Sequence, residues 1–171
     1  WKKYSFITIT IQNGVTSIGS YAFYDYYLCS SLTNINIPVS VTFIGYSAFY
    51  RCTSLTNINI PGNVTSIGSY AFRSCSSLTN VNFTGNINYI GSSAFYGCTS
   101  LKNLTIHDSV TSIPERAFSD CSNFKYINIG NFINSDSWKQ FYNYSFITHI
   151  NIIETLTSIP ERAFYGFTSL T

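Results

Sequence analysis

The residues best suited to chemistry in this chain of 171 residues are five cysteines that recur at a constant spacing. Thiolates bind zinc, and pairs of thiols form disulfides, so the spacing decides which chemistry is available. Ligands in a single row at 23-residue intervals cannot surround a zinc ion tetrahedrally. The sequence therefore predicts no metal site at these residues, which are Cys29, Cys52, Cys75, Cys98 and Cys121.

The shared repeat position of the cysteines favours buried, reduced thiols over disulfides. Residues one repeat apart would lie ~5 Å apart, within reach of a disulfide, but parallel side chains need local distortion before they can pair. An odd number of cysteines also leaves one unpaired. Free cysteine packs as a small hydrophobic residue, so we expect one column of buried thiols. Cys29 follows an insertion and is expected to be the most exposed.

Catalytic chemistry has little support among the other polar residues. Of the two histidines, His107 directly precedes Asp108 in a predicted turn, and His149 is two repeats away. Adjacent residues seldom form the pair of a general base and the group that orients it. The seven acidic residues form no close constellation, and no glycine-rich phosphate loop is present. We predict that the chain is not an enzyme and binds no cofactor.

Asparagine recurs at two outward-facing positions of the repeat, and these positions form the candidate ligand-binding surface. Stacked side-chain amides can hydrogen-bond to each other, because each is both donor and acceptor. One interpretation is therefore a self-satisfied asparagine ladder. The other is a neutral polar binding face anchored where Tyr126 and His149 replace asparagine, since tyrosine is enriched at binding hot spots. We call this surface the strand face; it comprises Asn34, Asn57, Asn80, Asn103, Tyr126 and His149 in one column, and Asn36, Asn59, Asn82, Thr105, Asn128 and Asn151 in the other.

A tandem repeat of 23 residues must position all these side chains. Ile58 and Ile60 alternate with asparagines, which predicts a half-buried strand. The second half of each unit has apolar residues at helical spacing, which predicts a short helical turn with one inward face. Three apolar columns repeat in the same register: Leu32, Leu55, Leu78, Leu101, Phe124, Ile147 and Leu170; Ile44, Ile67, Ile90, Ile113 and Ile159; and Phe49, Phe72, Phe95, Phe118, Phe141 and Phe164.

Two units depart from this pattern. The first carries three extra residues between Tyr24 and Leu28, and the unit from Phe124 to Tyr144 is degenerate, with Asp136 and Trp138 at unusual positions. One repeat cannot bury its apolar face alone, so stability must come from stacked neighbours. We predict a single solenoid over residues 1–171, with about seven repeats and the start of an eighth, as a fragment of a longer protein.

The composition argues against two classes of partner. Only 9% of the residues are charged, the net charge is +2, and the nine basic residues are scattered. Nucleic-acid binding relies on clustered basic residues, so we predict no nucleic-acid ligand. Arg51 and Arg73 are expected to solvate the outer surface. No apolar run approaches the ~18 residues needed to cross a bilayer, so we predict no membrane span in this fragment.

Residues 55–77 carry the repeat most fully and resemble the BspA-like class of leucine-rich repeats; the matching residues are Leu55, Ile58, Ile60, Pro61, Val64, Ile67, Gly68, Ala71, Phe72 and Cys75. The resemblance covers nearly the whole chain and fails in part over residues 130–146. It implies an α/β leucine-rich-repeat solenoid, with one parallel β-sheet face and short helical or 3-10 turns on the other face. Proteins of this family are typically surface or secreted proteins of anaerobic bacteria and parasitic protozoa, linked to adhesion and to host matrix proteins such as fibronectin.

Three functional hypotheses follow. The first is an adhesion or protein-interaction module at the cell surface or secreted, with a protein ligand such as an extracellular-matrix protein. The second is a structural spacer that has no ligand of its own. The third is self-association through the solenoid ends, because the repeat array stops at Leu170 and Thr171 and open strand edges invite pairing. A cytoplasmic location is the alternative to the surface.

Overall fold

The computed structural model describes residues 7–24, 26–85, 87–106, 110, 113–114, 116–129, 146–153, 158–159, 161, 163–164 and 167–171. Within them the repeats wind as a parallel β-solenoid, and each repeat forms one rung of the stack. The elements are β1 Ile7–Thr10, β2 Ser17–Ile18, α1 Tyr26–Ser31, β3 Leu32–Asn36, β4 Phe43–Ile44, β5 Asn57–Ile60, β6 Ser66–Ile67, β7 Asn80–Phe83, β8 Tyr89–Ile90, β9 Asn103–Ile106, β10 Tyr126–Ile129 and β11 His149–Ile152.

The long strands pair in parallel and in the register that the repeat predicts. Strand β1 pairs with β3, and β5, β7, β9, β10 and β11 form a five-stranded sheet in sequence order. Asn57 lies beside Asn80, one repeat later, and Tyr126 lies beside His149. The predicted single sheet is interrupted between β3 and β5, where the Thr56 amide still donates to the Thr33 carbonyl over 3.3 Å.

A second, smaller parallel sheet forms on another side of the solenoid. Its four strands, β2, β4, β6 and β8, are two residues long and are neighbours in sequence order. Each contributes one buried isoleucine and one outward residue, as in Phe43 followed by Ile44. This sheet links successive rungs by parallel pairing at a second position of the repeat.

The helical turns predicted in each repeat differ in the structure, where this segment is a run of turns with two left-handed residues. An α-helix requires φ near −63°, so residues at φ between 50° and 71° interrupt it. Among the described residues the only helix is α1, in the rung that carries the insertion. The left-handed residues form two columns: Tyr21, Ser47, Tyr70, Ser93 and Arg116, and Arg51, Ser74, Gly97 and Asp120.

The core is built from the three predicted apolar columns. Phe49, Phe72, Phe95 and Phe118 are fully buried and stack nearly parallel, with neighbouring ring centroids 5.0 to 5.2 Å apart. Ile159 and Leu170 depart from their columns, because they are 55% and 36% exposed. The unusual residues of the degenerate unit, namely Asp136, Trp138 and Tyr144, and the column residue Phe141, lie outside the described residues.

Candidate functional site

The strand face lies on the outward side of strands β3, β5, β7, β9, β10 and β11. Along each strand its residues alternate with inward residues that are buried or partly buried. Thr105 and Asn128 are half-buried, and the other ten side chains are exposed. Parallel pairing in register brings each residue beside its equivalent in the next rung, so the face is a regular array.

Hydrogen bonds run along both columns of the strand face. Asn80 Nδ2 donates to Asn57 Oδ1 over 3.0 Å, and Asn82 Nδ2 donates to Asn59 Oδ1 over 2.9 Å. Further along, Asn151 Nδ2 donates to Asn128 Oδ1 over 3.3 Å. A side-chain amide has two N–H donors and two acceptor lone pairs. Asn80 Nδ2 also donates to Thr79 Oγ1, and Asn57 Oδ1 also accepts from Thr79 Oγ1. The amides of the first column are therefore largely satisfied within the protein.

The asparagine column ends in an aromatic pair. The rings of Tyr126 and His149 stack with centroids 4.8 Å apart and planes at 28°. Thr148 Oγ1 lies 2.7 Å from His149 Nδ1, which holds the imidazole in place. Tyr126 is 45% exposed, so the pair presents a rigid ring surface with polar atoms at its edges. Such amphipathic surfaces suit protein interfaces.

A groove of about 410 Å³ adjoins the strand face at the carboxyl ends of β1, β3 and β5. Asn36 and Asn59 of the strand face line it, together with Gln12, Pro38 and Val39. Val39 is 66% exposed. The groove adds apolar contact area beside the amide side chains of the strand face.

The prediction that all five cysteines are reduced is wrong at one pair. Cys29 and Cys52 form a disulfide, with Cα atoms 4.3 Å apart. The three-residue insertion distinguishes this pair, because Cys29 follows it and lies on helix α1, whereas the other described rungs contain no helix. Cys29 is the most exposed of the five cysteines, as predicted, but at 2% it is still buried.

The other three cysteines are free and buried, as predicted. Each thiol donates to a phenylalanine carbonyl in the preceding rung, for example Cys75 Sγ to Phe49 O over 3.2 Å. Burial raises the pKa of Cys75 and of Cys121 to about 12. The reactive thiolate is therefore scarce at neutral pH. Among the described residues, no cluster of three or more histidine, cysteine or acidic side chains could hold a metal ion.

A second surface, which the sequence analysis did not identify, is a cluster of exposed tyrosines beside Arg73 in the turn region. It surrounds a cavity of about 350 Å³. The sequence shows single members of the cluster, because Tyr21, Tyr46 and Tyr70 stand where other repeats carry serine, but it does not show that they meet. His107 and Asp108, which the sequence did not favour as a catalytic pair, lie outside the described residues.

Comparison with known proteins identifies the repeat. The sequence matches the family described as BspA type leucine-rich repeat region in six copies, over residues 1–122 and 78–171. The chain belongs to the BspA-type leucine-rich repeat family. No curated protein matches the chain by sequence. Membership of the family therefore indicates a fold and not a specific activity.

The helix found among the described residues is far too short to cross a membrane.

Solved leucine-rich repeat structures resemble the chain along nearly its whole length. A leucine-rich repeat protein of T. pallidum is 26% identical with a TM-score of 0.71, and the alignment covers 97% of this chain and 78% of that one. Proteins from Bacteroides ovatus and Eubacterium ventriosum are 30% and 25% identical, with TM-scores of 0.60 and 0.66. Each of these two alignments covers 95% of this chain, which spans 47% and 46% of those proteins.

Proposed function

We propose that this leucine-rich-repeat chain is an adhesion module that binds an extracellular protein through the strand face. The observation that carries the proposal is the stacked pair of Tyr126 and His149, which replaces asparagine in the first column of the strand face. A residue that only completed the ladder would be expected to remain asparagine. Two exposed rings instead add apolar area where a partner could remove it from water.

The amide columns would fix the orientation of the partner. Asn57, Asn59, Asn80 and Asn82 are exposed and already held by bonds to each other. Pre-ordered side chains lose little conformational entropy on binding. A protein ligand with exposed backbone or amide groups would therefore find ordered donors and acceptors beside an aromatic anchor.

A surface or secreted location belongs to the same proposal. Family membership supports it, since BspA-type repeats are typical of such proteins. The disulfide between Cys29 and Cys52 supports it independently, because disulfides persist in oxidising compartments and are rare in the cytosol.

The proposal is tested by a binding screen against immobilised fibronectin, laminin and collagen. We expect saturable binding to at least one of them, and we expect the double variant Tyr126→Ala and His149→Ala to weaken it at least tenfold, the equivalent of ~1.4 kcal/mol. Tyr89→Ala is the matched control, because Tyr89 is 52% exposed on the smaller sheet. Unchanged affinity in the double variant would reject the strand face as the site.

The structural spacer is the second candidate function, and the hydrogen bonds along the asparagine columns favour it. A ladder that satisfies itself needs no ligand. If the wild-type chain binds none of the three matrix proteins above background, the spacer is the better account.

A further inference from the structure

The tyrosine cluster in the turn region is built from five rings over three rungs. Tyr21, Tyr24 and Tyr46 are 52%, 52% and 40% exposed, and Tyr50 and Tyr70 are half-buried. Together with Ser47 and Arg73 they line the cavity of about 350 Å³. We call this surface the tyrosine groove. Its volume is at the small end of the range for ligand sites, ~300–1,000 Å³.

Ring contacts hold the tyrosine groove in shape. Tyr21 meets Tyr46 edge-to-face with centroids 5.3 Å apart, and Tyr46 meets Tyr70 in the same way at 5.4 Å. Tyr24 and Tyr50 stack at 5.4 Å. A rigid aromatic surface exposes contact area at little entropic cost, so the groove is ready to bind before any ligand arrives.

The fold does not require tyrosine at these positions. Serine occupies the position of Tyr21 and Tyr70 in other rungs, at Ser47 and Ser93, with the same left-handed backbone. A bulky side chain in that conformation is unfavourable by ~1 kcal/mol or more. The fold therefore gives no reason for tyrosine in place of serine at Tyr21 and Tyr70.

Arg73 is the charged side chain that lines the tyrosine groove among the described residues. The Arg73 guanidinium lies over the rings of Tyr70 and Tyr96, with its central carbon 5.3 and 4.6 Å from the centroids. Arg51 lies over Tyr50 in the same manner, 5.4 Å from its centroid. No acidic side chain lines the cavity among the described residues. This arrangement disfavours a cationic ligand, although aromatic rings alone would accept one.

The backbone of this region is already hydrogen-bonded along the stack. The amides of Tyr21, Ser47 and Arg51 donate to carbonyls of the next rung, over 2.9, 3.1 and 2.8 Å. Tyr70 continues the pattern by donating to Ser92 over 3.1 Å. A peptide strand could not add to this surface by main-chain pairing. Recognition must therefore come from ring faces, phenol hydroxyls and guanidinium groups.

We propose that the tyrosine groove binds an acidic oligosaccharide. One face of a pyranose ring is rich in C–H bonds and packs on a phenol ring, whereas its hydroxyls hydrogen-bond to tyrosine. A sugar carboxylate would pair with Arg73, whose planar fork matches it. The cavity is large enough for one or two sugar rings. This site goes beyond the strand face, since it uses other residues and another class of ligand.

The probe for this proposal is tetragalacturonic acid, titrated into the intact chain by isothermal titration calorimetry. Its carboxyl-reduced tetrasaccharide and a tetraglutamate peptide serve as comparison ligands. We expect saturable binding of the acidic sugar, binding at least fivefold weaker for the reduced sugar, and no competition from the peptide. Tyr21→Ser with Tyr46→Ser should weaken binding at least tenfold, and Arg73→Gln should remove the preference for the acidic sugar.

The controls keep the result interpretable. Serine already occupies both repeat positions in other rungs, at Ser47 and Ser69, so the double variant is expected to fold, and circular dichroism checks this. Tyr89→Ser removes an exposed tyrosine elsewhere and should leave binding unchanged. The proposal is overturned if the wild type does not bind the acidic sugar, if the double variant binds it equally well, or if the peptide competes. The strand-face proposal is tested with different variants and different ligands, so either proposal can fail while the other stands.

Discussion

At the scale of single residues, one repeated cysteine position exists in two chemical states. Cys29 and Cys52 are oxidised to a disulfide, whereas Cys75, Cys98 and Cys121 are buried thiols. The difference arises from the insertion that creates α1, since the backbone register of the other rungs keeps their thiols hydrogen-bonded to carbonyls. The disulfide therefore links the atypical first rung to the regular stack.

Counting the reactive thiols tests whether Cys29 and Cys52 form a disulfide while the other three cysteines stay reduced. Unfolded without reductant, the protein should show three thiols that react with Ellman's reagent, and five after reduction. The folded protein should show none at pH 8, because burial raises the pKa of Cys75 to about 12 and also raises that of Cys98. A raised pKa favours the neutral thiol, so reactivity should increase only as the pH approaches 12. Five thiols before reduction would exclude the disulfide.

At the scale of elements, the rungs approach each other closely at a column of glycines, Gly45, Gly68 and Gly91. A Cβ added to Gly68 would lie 2.7 Å from the carbonyl carbon of Gly45 and from the amide nitrogen of Tyr46. Both are backbone atoms that cannot rotate away. In the first rung, Gly19 holds the same repeat position with nothing within 4 Å. Substitution of Gly68 therefore tests the close contact, and the same substitution at Gly19 serves as its control.

We expect Gly68→Ala to lower the free energy of unfolding by about 2 kcal/mol, within the ~1–3 kcal/mol typical of overpacking. Gly19→Ala should change it by less than about 0.5 kcal/mol. Urea denaturation of both variants and the wild type measures the difference. Equal effects at the two glycines would mean that the rungs are not packed as closely as the structure has them.

The strands could be predicted from the sequence and the turns could not. Alternation at Ile58 and Ile60 determines which side chains face inward, so the strand register followed from the pattern alone. Left-handed turn residues are usually recognised by glycine. Here Tyr70, Arg51 and Ser74 hold these conformations, so rung-to-rung packing overrides the local preference and leaves no sequence signal.

The same distinction applies to the candidate surfaces. The asparagine columns could be placed because outward positions on a strand share a period of two. The tyrosine groove combines residues from several repeat columns, such as Tyr21, Tyr46 and Tyr50, that meet only through the path of the turns. No one-dimensional spacing indicates that contact. The disulfide was missed because the repeat pattern does not indicate helix α1, on which Cys29 lies.

At the scale of the whole molecule, repetition builds the scaffold, and departures from it supply candidate binding sites. We propose one solenoid of about seven repeats, in which stability is shared between neighbouring rungs. The strand face and the tyrosine groove then lie on different sides of the same stack. Two partners of different chemistry could therefore bind without competing.

The side-chain amide signals of asparagine give the most direct test of the strand face. In a nitrogen–proton correlation spectrum of the chain titrated with its matrix partner, Asn128 and Asn151, next to the aromatic pair, should shift most. Asn63 and Asn123 should not shift, because they lie off the strand face and donate to the Val39 and Thr99 carbonyls over 2.7 and 2.8 Å. Shifts confined to Asn63 and Asn123 would contradict the account.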